Sequence, residues 1–444
     1  MHATSTEPAF PEQPSILPIL SVNFVGTLGF SIVVPFMVFL VAKWGGNAII
    51  YGVAASTYSV FQLIGAPILG NLSDRLGRRV VLLMSQLGTL LSWVIFLIAF
   101  AVPTSALLEV NSILLGQFTV TLPLILLFIA RSVDGLTGGN VSVANAYLAD
   151  ITNDDNRSEN FGRMAISTNL GFIIGPALAG LLGATVLGEI VPVFAALLIS
   201  IAASLMIAFG LKDNRPQVLD TKPGMPNACK VFGQETKECY ALRGTGKMTM
   251  TNILRLPRMA ALLAVNFLVM LSFSFFYIAF PTHAALGLNW SVVDTGIFFA
   301  VLSLCMALVQ GPLLARLSKV LEVKFFVVGG SLILGIGFAL MLWPYLVSIY
   351  IGASLIALGN GLMWPTFMAL LAKQAGKQFQ GAVQGFASSS GAAASIIGLI
   401  AGGLLYTWVG PWVFVVSTVT ISVVSIITAI ACPHDQIDEV KNLA

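Results

Sequence analysis

Arg131 and Asp134 stand three positions apart inside an apolar run from 122 to 149. In a helix that spacing puts both side chains on one face. At the centre of a membrane-spanning helix each would cost roughly 2.5–3.5 kcal/mol, so they are expected to neutralise one another or to face water. A carboxylate held in this way can trade its arginine for a proton, and a small movement that alters the contact decides which it holds. The chemistry expected of the pair is proton coupling, with Asp134 as carrier and Arg131 as its partner; a purely structural ion pair is the competing reading. Asp74 and Asp150 fall at the ends of apolar runs, and Glu109 and Glu189 fall in connections. Asp294 follows Ser291 by three residues, the spacing of a capping box. His283 titrates in a suitable range but lies near the end of its run and is expected at the interface.

A second set of residues could bind a solute. Asn23, Thr27 and Ser31 recur at helical spacing, as do Asn266, Met270, Phe273 and Tyr277, then Asn360 and Trp364, then Gln384, Ser388 and Ser395. In lipid such polar stripes turn toward protein or toward a cavity. Asn23, Asn266, Tyr277, Asn360, Trp364 and Gln384 are the candidate substrate-binding residues, and together they suit a moderately polar organic compound. Packing alone would account for any one of them. Cys229, Cys239, Cys305 and Cys432 have neither a disulfide nor a metal spacing. No metal or cofactor is expected beyond the coupling protons, and no His, Glu or Cys constellation suggests an enzyme.

The elements that must position these residues are membrane helices. Of the 444 residues 57% are hydrophobic and 9% charged, whereas soluble domains carry roughly 25% charge. A crossing takes about 20 apolar residues, and twelve spans are read at 16–42, 49–70, 79–102, 122–149, 161–184, 189–211, 258–283, 290–314, 323–343, 346–373, 379–408 and 410–432. They divide into six-helix halves at 16–211 and 258–432, with a basic cytoplasmic linker at 212–257 and tails at 1–15 and 433–444. Of the 22 Lys and Arg, Lys43 alone would face outside and Arg131 alone would lie in a span, which puts both termini in the cytoplasm. No cleavable leader is expected, because the first fifteen residues hold no Lys or Arg. Pro67, Leu69, Leu72 and Ser73 recur at an offset of 245 as Pro312, Leu314, Leu317 and Ser318, a weak parallel repeat of the two halves.

Between the second and third runs, Gly70, Leu72, Asp74, Arg75, Gly77, Arg78 and Arg79 occupy seven of ten positions. This pattern resembles the loop 2-3 signature of the major facilitator superfamily. The resemblance implies an all-α membrane protein of two pseudo-symmetric six-helix halves, with Asp74 and its arginines as a conformational latch. Arg131 to Gly138 resembles the fourth-helix motif of proton-linked members, which associates Arg131 with energy coupling. Gly171, Gly175, Pro176 and Gly180 are similar to the antiporter signature of the fifth helix, with Ala179 in place of one glycine. Ala146 to Ile151, Phe161-Gly162, Asn289-Trp290 and Gln310-Gly311-Pro312 resemble the twelve-span tetracycline-type drug:proton antiporters. Those exporters carry acids in the first and ninth spans, where this chain has Asn23 and no acid. The function implied is proton-coupled efflux of a small organic or amphipathic compound by alternating access; alternatively, import or uniport of a sugar, siderophore or organic acid. The expected partners are the substrate and the lipid bilayer of the cell (bacterial inner) membrane. No nucleic acid is expected, and the chain is expected to be a monomer.

Overall fold

The computed structural model describes residues 16–33, 36–138, 140–151, 157–211, 254, 258–318 and 321–431. Both expected tails, the 212–257 linker apart from Leu254, and Pro35, Cys229, Cys239 and Cys432 lie outside them, as do the side chains of Asp74, Arg75 and Gln384. Among the described residues nine helical stretches are long and apolar enough to cross a membrane.

The first expected span is interrupted, giving α1 (Leu17–Ser31) and α2 (Met37–Lys43), and the fourth breaks at Gly138 into α5 (Leu122–Thr137) and α6 (Asn140–Asp150). The second and third are single helices, α3 (Ala48–Leu76) and α4 (Arg78–Ala101). They part at Gly77, whose φ of 96° is one that side chains with a Cβ rarely adopt. The group closes with α7 (Arg157–Gly183) and α8 (Ile190–Gly210). A second group follows: α9 (Met259–Thr282), continued by a π-helical turn His283–Gly287; α10 (Val292–Leu308), continued by a π turn Val309–Leu313 and α11 (Leu314–Leu317); α12 (Val323–Leu340); α13 (Leu346–Val409); and α14 (Val413–Ala431). The expected capping box at Ser291 and Asp294 opens α10.

The tenth and eleventh expected spans form one run of helical hydrogen bonds, α13. A Cβ on Gly330 would meet Gly359 O and one on Gly337 would meet Gly352 O, so the first part of α13 runs against α12. Asn266 donates to Ala387 O at 2.8 Å and His283 pairs with Tyr406 at 3.1 Å, so the later part runs along α9. Helix α14 opposes both neighbours, through Ser272 to Ser417 O and the His283–Phe414 ring contact on α9, and through Thr418 to Gly335 O and Ser425 to Val328 O on α12. With α9 and α12 thus parallel, the chain changes direction within α13, between Gly359 and Ala387.

The connection 103–121 holds a β-hairpin that the sequence reading did not anticipate. Strands β1 (Ala106–Ser112) and β2 (Gly116–Thr121) pair antiparallel. Thr119 N–H donates to Gly45 O at 2.8 Å, and Asn47 Nδ2 donates to Leu115 O at 2.8 Å and Gln117 O at 3.2 Å. Asn47 Oδ1 meanwhile caps α3 by accepting from Ile50 N at 3.0 Å, so one side chain ties the hairpin to the start of that helix.

Candidate functional site

The Arg131–Asp134 pair lies where α3, α4 and α5 meet. Both residues are about 95% buried, at 4% and 5% relative exposure, and Arg131 Nη1 reaches Asp134 Oδ2 at 3.3 Å. Thr89 on α4 lies beside the Asp134 carboxylate. From α3, the Tyr58 ring lies under the guanidinium, 4.7 Å from Cζ to centroid. Gln62 Nε2 donates to Tyr58 Oη at 3.1 Å and to Gly138 O at 3.0 Å. Sequence reasoning placed the ion pair but missed Tyr58, Gln62 and Thr89. The four-residue spacing of Tyr58 and Gln62 was the available signal; an isolated Thr89 offers none.

The six candidate substrate residues are not alike. Asn23 is buried and donates to Thr168 Oγ1 at 2.7 Å, Met164 O at 3.3 Å and Ser167 Oγ at 3.4 Å, which commits its amide to the α1–α7 contact. Ser31 donates to Gly171 O across the same pair of helices at 2.9 Å. Asn266 is buried, its amide spent on Ala387 O. Tyr277 is 41% exposed, with its ring parallel to Phe299 at 6.3 Å and beside Phe273 and Phe276. Asn360 is half-buried and donates to Met306 Sδ at 3.3 Å, and half-buried Trp364 packs on Phe367. Tyr277, Asn360 and Trp364 thus keep accessible surface, while Asn23 and Asn266 act as interhelical ties. Asn23→Ala is expected to lower stability by about 0.5–1.5 kcal/mol, because it removes the buried amide that joins α1 to α7 while Ser167 and Thr168 keep their other bonds. A thermal unfolding midpoint equal to that of the parent would contradict this.

His283, expected at the interface, is instead buried on the C-terminal group, with Nδ1 on Tyr406 Oη at 3.1 Å. In the Gly70–Arg79 loop, Arg78 donates to Ser73 Oγ at 2.6 Å and Arg79 donates to Ala208 O on α8.

The close approaches between the two groups of helices gather at the end that carries the hairpin. A Cβ on Gly296 of α10 would fall 2.4 Å from Gly180 Cα and 3.2 Å from Pro176 O on α7. A Cβ on Gly52 of α3 would fall 2.4 Å from Leu399 O, and one on Gly403 would fall 2.6 Å from Ala48 O. Gly180 and Pro176 of the fifth-helix motif are therefore at a backbone-to-backbone crossing. The apolar cluster at this end includes Ile278 and Val292 beside Ile32, Phe96 and Ala179. The cluster at the opposite end of the first group, around Ile19, Val81 and Tyr147, is drawn from that group.

Comparison with known proteins agrees with this architecture. A tetracycline resistance protein of class E from Escherichia coli is 27% identical, across 90% of this chain and 91% of that protein. Major facilitator superfamily domain-containing protein 10 of Bos taurus is 25% identical, across 82% and 75%. The crystal structure of the human organic anion transporter MFSD10 superposes with a TM-score of 0.63 at 21% identity, covering 95% of this chain and all of that one. A peptide transporter bound to alafosfalin gives 0.67 at 16% identity, covering 96% of each. The model of the Major Facilitator Superfamily matches residues 19–319 and 262–442, and the chain is a membrane transporter belonging to that family.

Proposed function

We propose that this chain is a proton-coupled exporter of small amphipathic organic compounds, with both termini in the cytoplasm. The observation that carries the reading is the buried, mutually neutralised Arg131–Asp134 pair, a titratable acid held among membrane helices at a cost that a structural role alone does not require. The tetracycline resistance relatives support the direction of transport. Arg78 and Arg79, at the start of α4, mark the cytoplasmic end; the glycine crossings then close the outer end, so that the substrate site would open inward. Tyr277, Asn360 and Trp364, which keep accessible surface, would meet the substrate from the C-terminal half, while Asp134 in the N-terminal half exchanges Arg131 for a proton. At a membrane potential of about 100 mV, moving one charge supplies about 2.3 kcal/mol, enough for roughly 40-fold accumulation.

The test is transport by the full chain in inverted vesicles, with tetracyclines and organic anions as probes. Exporter activity requires uptake that collapses when the proton gradient is dissipated, with added probe drawing protons out of acid-loaded vesicles. Uptake indifferent to the gradient would overturn the coupling, and movement in the opposite sense would make the protein an importer.

A further inference from the structure

We propose that Tyr58 is a positioning residue of the coupling pair, its ring face holding the Arg131 guanidinium in place when Asp134 takes up a proton. The proposal rests on the reading of Asp134 as proton carrier. Protonation removes the negative charge 3.3 Å from Arg131, and loss of a counter-charge is costly to an arginine among membrane helices. The Tyr58 ring, 4.7 Å away, stays against the guanidinium. An aromatic face attracts a cation most strongly when water is excluded, and Arg131 is buried.

The ring cannot follow a wandering side chain, because its surroundings fix it. A Cβ on Gly135 would fall 2.4 Å from Tyr58 O, and one on Gly138 would fall 2.8 Å from Tyr58 Oη, so α5 meets the backbone of Tyr58 at one glycine and the tip of its ring at the other. Gln62 holds the hydroxyl and the Gly138 carbonyl together. The titratable side chains that face the pair from α3 are Tyr58 itself and Tyr51, which lies within electrostatic reach of Arg131. From α4, the neutral Thr89 lies beside the carboxylate. While Asp134 is charged it supplies most of what Arg131 needs. Once Asp134 is neutral the ring supplies more, so removing the ring penalises the protonated state selectively.

The readout is the carbonyl stretch of the protonated carboxylic acid, followed by infrared titration of the purified full chain in lipid nanodiscs. The band is assigned to Asp134 by its loss in Asp134→Asn. Tyr58→Phe keeps the face and should half-protonate within about 2-fold of the parent proton concentration, whereas Tyr58→Leu and Tyr58→Met should need on the order of 10-fold more. Leu and Met variants that titrate with the parent would overturn the proposal, as would a Phe variant shifted as far as Leu. If neither apolar variant folds, a ring-fluorinated phenylalanine at position 58 keeps the shape, weakens the face, and should shift in the same sense. Loss of gradient-driven transport in Asp134→Asn with no Tyr58-dependent shift removes the role of the ring alone. A Tyr58-dependent shift beside intact gradient-driven transport in Asp134→Asn would leave the ring's role standing and remove the coupling role of Asp134.

Discussion

Asp134→Asn is expected to abolish the roughly 40-fold accumulation that one coupled charge can sustain, while exchange of substrate down its own gradient continues. Asparagine keeps the size of the side chain and can still accept from Arg131, the partner of the native carboxylate. It cannot titrate. The two quantities to compare are gradient-driven uptake and counterflow of a labelled probe in the same vesicle preparation. Accumulation that survives the change would refute Asp134 as carrier and turn attention to His283, the buried imidazole paired with Tyr406.

The second large effect is expected at the crossing of α7 and α10. Gly296→Val would drive a branched side chain into Gly180 Cα, Gly180 N and Pro176 O, all backbone or bound to it, so no flexible neighbour can yield. Overpacking of this kind costs typically 1–3 kcal/mol. Because the clash belongs to the state in which this end is closed, the ratio of closed to open molecules should fall about 5- to 150-fold. Spin labels at Ala184 and Asn289, both exposed near the crossing, should report a population at longer separation. Transport should fall in parallel. An unchanged distance distribution would mean that this end closes without the glycine contact.

The membrane class and the position of most helices were legible because twenty-residue apolar runs have few alternatives in lipid. The Arg131–Asp134 contact was legible for the same reason: two opposite charges three residues apart in such a run have little choice but each other. The fates of Asn23 and Asn266 were not. A polar side chain on a membrane helix is drawn equally to a cavity or to an acceptor on the next helix, and spacing along one helix says nothing of what its neighbour presents. Asn23 found Thr168 on α7 and Asn266 found Ala387 on α13, each far away in sequence. Residues 103–121 read as a plain connection between spans, and the hairpin within it was missed; its Leu107, Leu108, Ile113 and Leu114 are all exposed. What holds it in shape lies some sixty residues earlier, at Gly45 and Asn47.

That dependence sets an order of events during synthesis. A two-stranded hairpin is at best marginal in water on its own, and the groups that template this one, Gly45 O and the Asn47 side chain, belong to the start of α3. Chains emerge and fold from the N-terminus onward, so α3 can already span the bilayer, with Asn47 capping it, before residues 106–121 arrive on the far side. The strands then meet a finished template rather than having to nucleate alone. The same residues moved ahead of α3 in the chain would cross with nothing to pair against, and their exposed leucines and Ile113 would be free to remain with the lipid.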